Sequence, residues 1–435
     1  MSASARPEMI DVQALRVGMV VHLDGGWMSH PFALSRFKIA SDEQISTIRA
    51  LGLKRVRWEP MHSDPAPAAA AGAETAAEPA DRLGEPPGDT PGSAPAVLPE
   101  EASRMAHRRA LARQRETLNL CERQFAEAAE ACNELTRQVP IQPRKACGQA
   151  ESLSRALVDK MLGAPEPCIH LLTGAAGHKA AAHALNVTVV SLLLGRRLGL
   201  DEAQLQDIGV GALLHDIGKL ELHEAVRHHD EHFIASELRA YEEHVANGVV
   251  HARKMGMSPG AMLVVAQHHE HADGSGFPLR LGNEKMSVPA RIVALVNRYD
   301  NLCNPRLVAK AMTPHEALAM LFAASAGKFD SDVLGAFIKM MGVYPPGSTV
   351  QLSDDRYALV MAVNSSRPLK PRVLVHDDAV PREEALLIDL EREGDLGIRR
   401  SVKALHMPPS ALHYLAPARR VVYFFEPARE LVDAS

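Results

Sequence analysis

Between residues 183 and 300 the sequence sets out side chains that bind metal ions: His183, the pair His215-Asp216, His244, the pair His268-His269, and Asn297 or Asp300. Imidazole and carboxylate suit zinc, iron and manganese, and six or seven such ligands exceed what one four-coordinate ion takes. The count predicts two ions. In two-metal sites the ions stand roughly 3.5–4 Å apart, one carboxylate can bridge them, and they share a hydroxide formed near neutral pH. Asp216 is the natural bridge. Neighbours on a helix point about 100° apart, so His215 and Asp216 can reach a shared centre from adjacent directions. Lys219, three residues on, shares nearly the same face and can neutralise a phosphate held by the ions.

The stretch GALLHDIGKLEL reads as buried helix, where an unpaired carboxylate is expensive to hold. A hydrogen-bonded polar core explains any one of these histidines taken singly. It does not explain an HD pair in apolar company followed by an HH pair, whereas a cation would hold Asp216 ionised. HHDEH at 228–232 and His271 read as solvated loop charges, and HKAAAH as the source of one ligand, His183. Directly after the HH pair, HADGSGFP packs Asp273, Gly274, Gly276 and Pro278 into a tight turn whose bare backbone would let phosphates or bases approach.

Several elements must position these groups. Residues 8–60 read as a small module, with GMVVHLDGGW alternating as a strand and Ser41 capping a helix in SDEQISTIRALGL; His22 and His30 read as surface residues. Residues 61–100 are Ala, Pro, Gly and acid with little to bury, the composition of a disordered linker. Residues 101–150 form a connecting helix, exposed or interfacial, interrupted at Pro140 and Pro143. From 155 to 345 helical periodicity dominates and predicts a bundle. After YPPGS, the runs TVQLS, YALVMAVN, RVLVHD, ALLIDL and RRVVYFF predict a β-rich module over 346–435. The fold class expected is mainly α, with a small α/β N-terminal module and a β-rich extension.

At 435 residues the chain is too long for one ordinary core. A formal charge of −5 gives no reason to expect a nucleic-acid polymer. Five cysteines without a CxxC pair suggest neither a disulfide framework nor a thiolate zinc site, which fits a cytoplasmic protein. No apolar run is long enough for a membrane helix.

LLHDIGK, HHEHADGSGFP and ARIVALVNRYDNL together resemble the HD-GYP family, HD phosphohydrolases that hydrolyse cyclic di-GMP; the likeness spans about residues 160 to 345. Residues 8–60 resemble the uncharacterised module often found upstream of that domain, and the tail resembles an extension found after it. The resemblance implies a helical HD bundle around two or three ions of iron or manganese. It implies His183, His215, Asp216, His244, His268 and His269 as ligands and Lys219 as the lysine that meets the scissile phosphate. Gly276, Phe277 and Pro278 match the substrate loop, where most members carry Tyr-Pro. Asp300 matches an aspartate that supports a ligand or faces substrate, and Arg306 an arginine on the substrate phosphate. Asn297 stands where the family carries a metal-binding Asp, and offers a neutral, weaker oxygen. Lys179 stands where three-metal members carry a Glu, and its charge would repel a cation, which favours two ions.

The function implied is hydrolysis of cyclic di-GMP to pGpG, with GMP as a further product, by a metal-bridging hydroxide. Asn297 motivates a rival reading as a catalytically weak cyclic di-GMP sensor or adaptor, and an HD phosphohydrolase acting on another cyclic nucleotide is a third. Protein partners would engage the N-terminal module, and a homodimer is compatible with the chain.

Overall fold

The computed structural model describes residues 8–23, 36–39, 41–51, 53–60, 63, 99–163, 166–174, 179–230, 232–323 and 327–427. The chain separates into two compact units, one of Met1–Gly25 with Leu34–Ala110, the other of Gly26–Ala33 with Leu111–Ser435. In the first, β1 (Glu8–Asp11), β2 (Val20–His22), β3 (Arg36–Lys38) and β4 (Arg55–Trp58) form an antiparallel sheet in the order β1-β4-β2-β3. Helix α1 (Asp42–Ala50) begins where the sequence predicts, Ser41 accepting from the Gln44 amide. Val12, Val21, Ile39, Ile48 and Val56 are buried. His22 pairs with Glu59 at 2.6 Å, while His30 and nearly all of the expected linker lie outside the described residues.

Helix α2 (Pro99–Gln138) stops two residues before Pro140, and α3 (Pro143–Leu162) starts on Pro143, the position where a missing N–H costs nothing. Of the two expectations for this helix, exposed or interfacial, its C-terminal half follows the second. Cys121, Phe125, Ala128, Cys132 and Leu135 form a one-sided apolar stripe on the C-terminal half of α2 and are buried in the main core.

The bundle continues with α4 (Lys179–Arg197), α5 (Glu202–Leu214), α6 (Ala235–Met255), α7 (Pro259–Gln267), α8 (Val288–Cys303), α9 (Pro314–Ala323) and α10 (Ser331–Met341). Helix α5 starts in a capping box between Asp201 and Gln204. Its glycines let neighbours close in. A Cβ on Gly211 would lie 2.5 Å from Val264 of α7. Gly218, just beyond α5, would put one 1.9 Å from the His244 carbonyl of α6.

The β-rich tail is not a separate module. Strands β6 (Thr349–Leu352), β7 (Tyr357–Asn364), β8 (Arg372–Val375), β9 (Ile388–Asp389), β10 (Ile398–Ser401) and β11 (Tyr423–Pro427) share one antiparallel sheet with β5 (Pro167–Leu171), which precedes the bundle. The path is β10-β6-β7-β5-β11, with β8 on the other edge of β7 and β9 on β8. PCIHL is too short for periodicity to separate strand from helix, so the sequence does not reveal β5. Helix α11 (Pro409–Leu415) and β10 were also missed. Among the described residues no helix is long and apolar enough to cross a membrane.

Candidate metal centre

Four helices carry six of the seven predicted ligands, all but Asn297, to one place, and the paired ones sit at helix ends rather than in helix interiors. Helix α5 stops at Leu214, His215 is its C-cap, and Ile217–Glu221 turns away as a short 3₁₀ segment. Helix α7 ends at Gln267 with His268 as C-cap. Both helices thus direct their negative dipole ends at the site, which favours a cation there.

Four of the five imidazoles are fixed through Nδ1. His215 donates to the Ala212 carbonyl at 2.7 Å, His244 to Tyr241 at 2.5 Å and His268 to Val265 at 2.8 Å. His183 donates instead to Asp300 Oδ2 at 2.6 Å. These partners assign the proton to Nδ1 and leave each Nε2 with a bare lone pair.

The bare nitrogens converge. His183 and His215 face each other through Nε2 atoms 3.1 Å apart, and lie 3.7 and 3.5 Å from Asp216 Oδ2. His244 and His268 approach to 3.4 Å through Nε2, and each lies 3.7 Å from Asp216 Oδ1. Asp216 Oδ1 is buried without a hydrogen-bond partner. Two lone pairs at such separations repel unless something positive lies between them, and a buried orphan carboxylate oxygen is costly for the same reason. The donor set therefore fits metal. Two groups that could hold an ion share Asp216: His183, His215 and Asp216 on one side, and Asp216, His244, His268 and His269 on the other.

Protons do not substitute for the cation at neutral pH. Burial, opposed by Asp216, pushes the His215 pKa down to about 4, and burial likewise lowers His244, His268 and His269. Burial works against the Asp216 charge, but Lys219 first, then His215, His244 and His183, holds its carboxyl well below the usual range. The unfolded chain accepts a proton on His215 near pH 6.5, which the folded chain refuses until about pH 4. This contribution to stability is complete above 6.5 and is lost as pH falls through about 4. Denaturant melts of the metal-free protein are expected to show a midpoint that drops steadily over that window; a flat midpoint would show the imidazoles are not held neutral.

Lys219 Nζ donates to Asp216 Oδ2 at 2.7 Å and lies 5.4 Å from the centre of the Tyr241 ring. Phe277 stacks on His269 with centroids 4.5 Å apart and planes at 21°, while Pro278 is exposed. Gly276 lies in close contact with its own loop. It is buried, and a Cβ on it would fall 2.4 Å from the His271 amide and 2.5 Å from the His269 carbonyl oxygen, so the glycine serves the loop's own packing. Glu270, fully buried, accepts from the Leu279 and Leu281 amides at 2.7 and 2.8 Å and pins the loop.

Both oxygens of Asp300 are engaged, the arrangement of an aspartate that supports a ligand. Its Oδ2 holds His183, and its Oδ1 accepts from Asn186 and Asn304 at 2.8 and 2.9 Å. Asn297 is buried on the same helix, and its side-chain oxygen accepts from Asn301 at 2.8 Å. Arg306 is exposed beyond the end of α8. HHDEH is only partly the solvated loop expected: Asp230 and His232 pair at the surface, but His229 packs edge-on to Tyr241 with centroids 5.4 Å apart. His228 feels both Lys219 and Arg306, which after burial lower its pKa. Tyr241 and Glu270 escaped the sequence reading. Tyr241 had a usable signal, one helical turn before His244 on the same face.

Residues 168–333 match the family model of the HD domain, and residues 8–150 match a domain of unknown function, DUF3391. The DUF3391 match precedes the HD-domain match, the order the resemblance implied, and it runs on to residue 150 where the sequence reading ended the module at 60. Over 403 residues the chain is 27% identical to a cyclic di-GMP phosphodiesterase of Pseudomonas aeruginosa, covering 88% of this chain and 89% of that one. The cyclic di-GMP phosphodiesterase response regulator RpfG of Xanthomonas campestris is 31% identical over 153 residues, 34% of this chain and 40% of its own. A 3′3′-cGAMP-specific phosphodiesterase of Vibrio cholerae is 28% identical over 165 residues, 38% and 36% of the two chains.

Proposed function

We propose that the HD domain is a metal-dependent phosphodiesterase that opens cyclic di-GMP to linear pGpG. The observation that carries this is the convergence of four imidazole Nε2 atoms on the two oxygens of Asp216, with the Lys219 ammonium beside them. The names of the relatives matched along the HD domain support a cyclic dinucleotide as substrate. Bound to the two groups, two divalent ions, iron or manganese, would supply Lewis acidity and a water acidic enough to react near neutral pH.

The chain's own groups do the rest. Lys219 and Arg306 bind the non-bridging phosphate oxygens, and the Lys219 ammonium offsets the negative charge that grows on phosphorus. Phe277, with one ring face on His269, presents the other to a base. Asp300 keeps the Nδ1 proton of His183 in place, so that its Nε2 remains a donor to the ion rather than a hydrogen-bond donor.

The test is a side-by-side assay of full-length protein purified without oxygen and loaded with iron(II) or manganese(II). Cyclic di-GMP is expected to be turned over at least about tenfold faster, as kcat/KM, than 3′3′-cGAMP, an effect of about 1.4 kcal/mol in the transition state. A faster rate on 3′3′-cGAMP would reassign the substrate. Tight binding of cyclic di-GMP without turnover, in protein carrying two ions, would replace the enzyme with a sensor.

A further inference from the structure

Three of the imidazoles are oriented by carbonyls of their own helices, whereas His183 depends on a side chain from elsewhere. Asp300 Oδ2 takes the His183 Nδ1 proton, and its Oδ1 is held by two amides, from Asn186, one turn beyond His183 on α4, and Asn304, at the C-cap of α8. The same two amides reach the C-terminal strand. Each donates its second N–H to the Val421 carbonyl, both at 2.8 Å. Val421 N donates back to Asn304 Oδ1 at 2.8 Å, and Tyr423 N to Asn186 Oδ1 at 2.9 Å. These six hydrogen bonds use every donor of both amides.

The strand does not need this arrangement for its own pairing. Tyr423–Pro427 is already in register with Leu171–Pro167, and Leu172 N donates to the Val422 carbonyl at 2.9 Å. Val421 gives both its backbone groups to amides that also hold Asp300. A buried network of this kind fixes geometry only while it is complete. If the strand lifts, both amides lose partners and compete for the carboxylate that orients His183.

We propose that Asn186 and Asn304 are positioning residues that couple the seating of the C-terminal strand to the ligand set of His183, His215 and Asp216, leaving the set around His244 and His268 independent. The proposal rests on the metal reading of those groups. It predicts an asymmetry. Disturbing the clamp weakens one ion, because disturbing a partner that orients a ligand typically costs about 10–100-fold in affinity, while the other ion keeps carbonyl-oriented ligands. By reciprocity, an ion in the His183 group tightens the strand.

The experiment is a manganese(II) titration of full-length wild type, Asn304→Ala and Asn186→Leu, read as ions per chain, affinity and the electron paramagnetic resonance of coupled against isolated ions. Wild type is expected to bind two coupled ions; if it binds none, the metal reading fails, whatever becomes of the clamp. In each variant one ion is expected to weaken by about 10–100-fold and the other to stay within about twofold, with the coupled signal giving way to an isolated one. Two ions bound as in wild type, or both lost together, would overturn the clamp. Because a variant can fail to fold, amide hydrogen exchange is measured on wild type with and without manganese(II). Exchange at Val421 and Tyr423 is expected to slow at least about tenfold more than at Val373 and Val375 of β8 in the same sheet. Equal slowing in β8 and β11 would contradict the proposal.

Discussion

Asp216→Asn is expected to cut kcat/KM at least about a thousandfold and to strip both metal groups together, an effect of about 4 kcal/mol or more in the transition state. The two carboxylate oxygens serve different sides, Oδ2 lying 3.5–3.7 Å from the Nε2 atoms of His215 and His183, and Oδ1 lying 3.7 Å from those of His244 and His268. Asparagine keeps the shape but brings an NH₂ group to one pair of bare nitrogens, where it would donate hydrogen bonds and block a cation. It also removes the charge that offsets the partly exposed Lys219 ammonium. Kinetics and metal analysis on one preparation check the result. If a single ion persists at wild-type affinity and turnover falls less than about tenfold, Asp216 does not serve both groups.

Lys219→Met should separate charge from packing, because methionine keeps a flexible apolar stem of similar reach. Burial opposes the Lys219 charge, but Asp216, and after it Tyr241, raises the pKa above the ordinary lysine value, so the ammonium persists throughout the neutral range. Its bond to Asp216 is 2.7 Å, and the same ammonium sits against Tyr241, so its position is set before any substrate arrives. With such preorganised charge removed, kcat is expected to fall by about 10²–10³ while the ions stay bound, the size measured for losing one comparable donor elsewhere. Steady-state kinetics with a metal count decide it. A change confined to KM would make Lys219 a uniform binding group, and loss of the ions would make it a support for Asp216.

The ligands were legible in the sequence because chemistry leaves a local mark: an HD pair and an HH pair in apolar surroundings are hard to explain otherwise. The helices around them were legible for the same reason, through their periodicity. What stayed hidden was non-local. Whether Asp300 faces substrate or His183 depends on how α8 packs against α4, and nothing within five residues of Asp300 states it. Gly276 looked like an opening for ligand because a glycine in a turn signals bare backbone, and only the folded loop shows that the space is filled by His269, Glu270 and His271. The tail read as separate because strands in sequence order look self-sufficient, while the strand that completes their sheet lies before the bundle.

That placement of β5 bears on how the polypeptide matures. Tyr423 reaches Asn186, 237 positions earlier in the chain, and β5 emerges during synthesis long before the β7 and β11 edges that flank it. Until those arrive it offers two open backbone edges, a hazard for mispairing with other nascent chains. The bundle can collapse early around its local helix contacts, but the amides of Asn186 and Asn304 are fully matched only when translation has delivered the last strand.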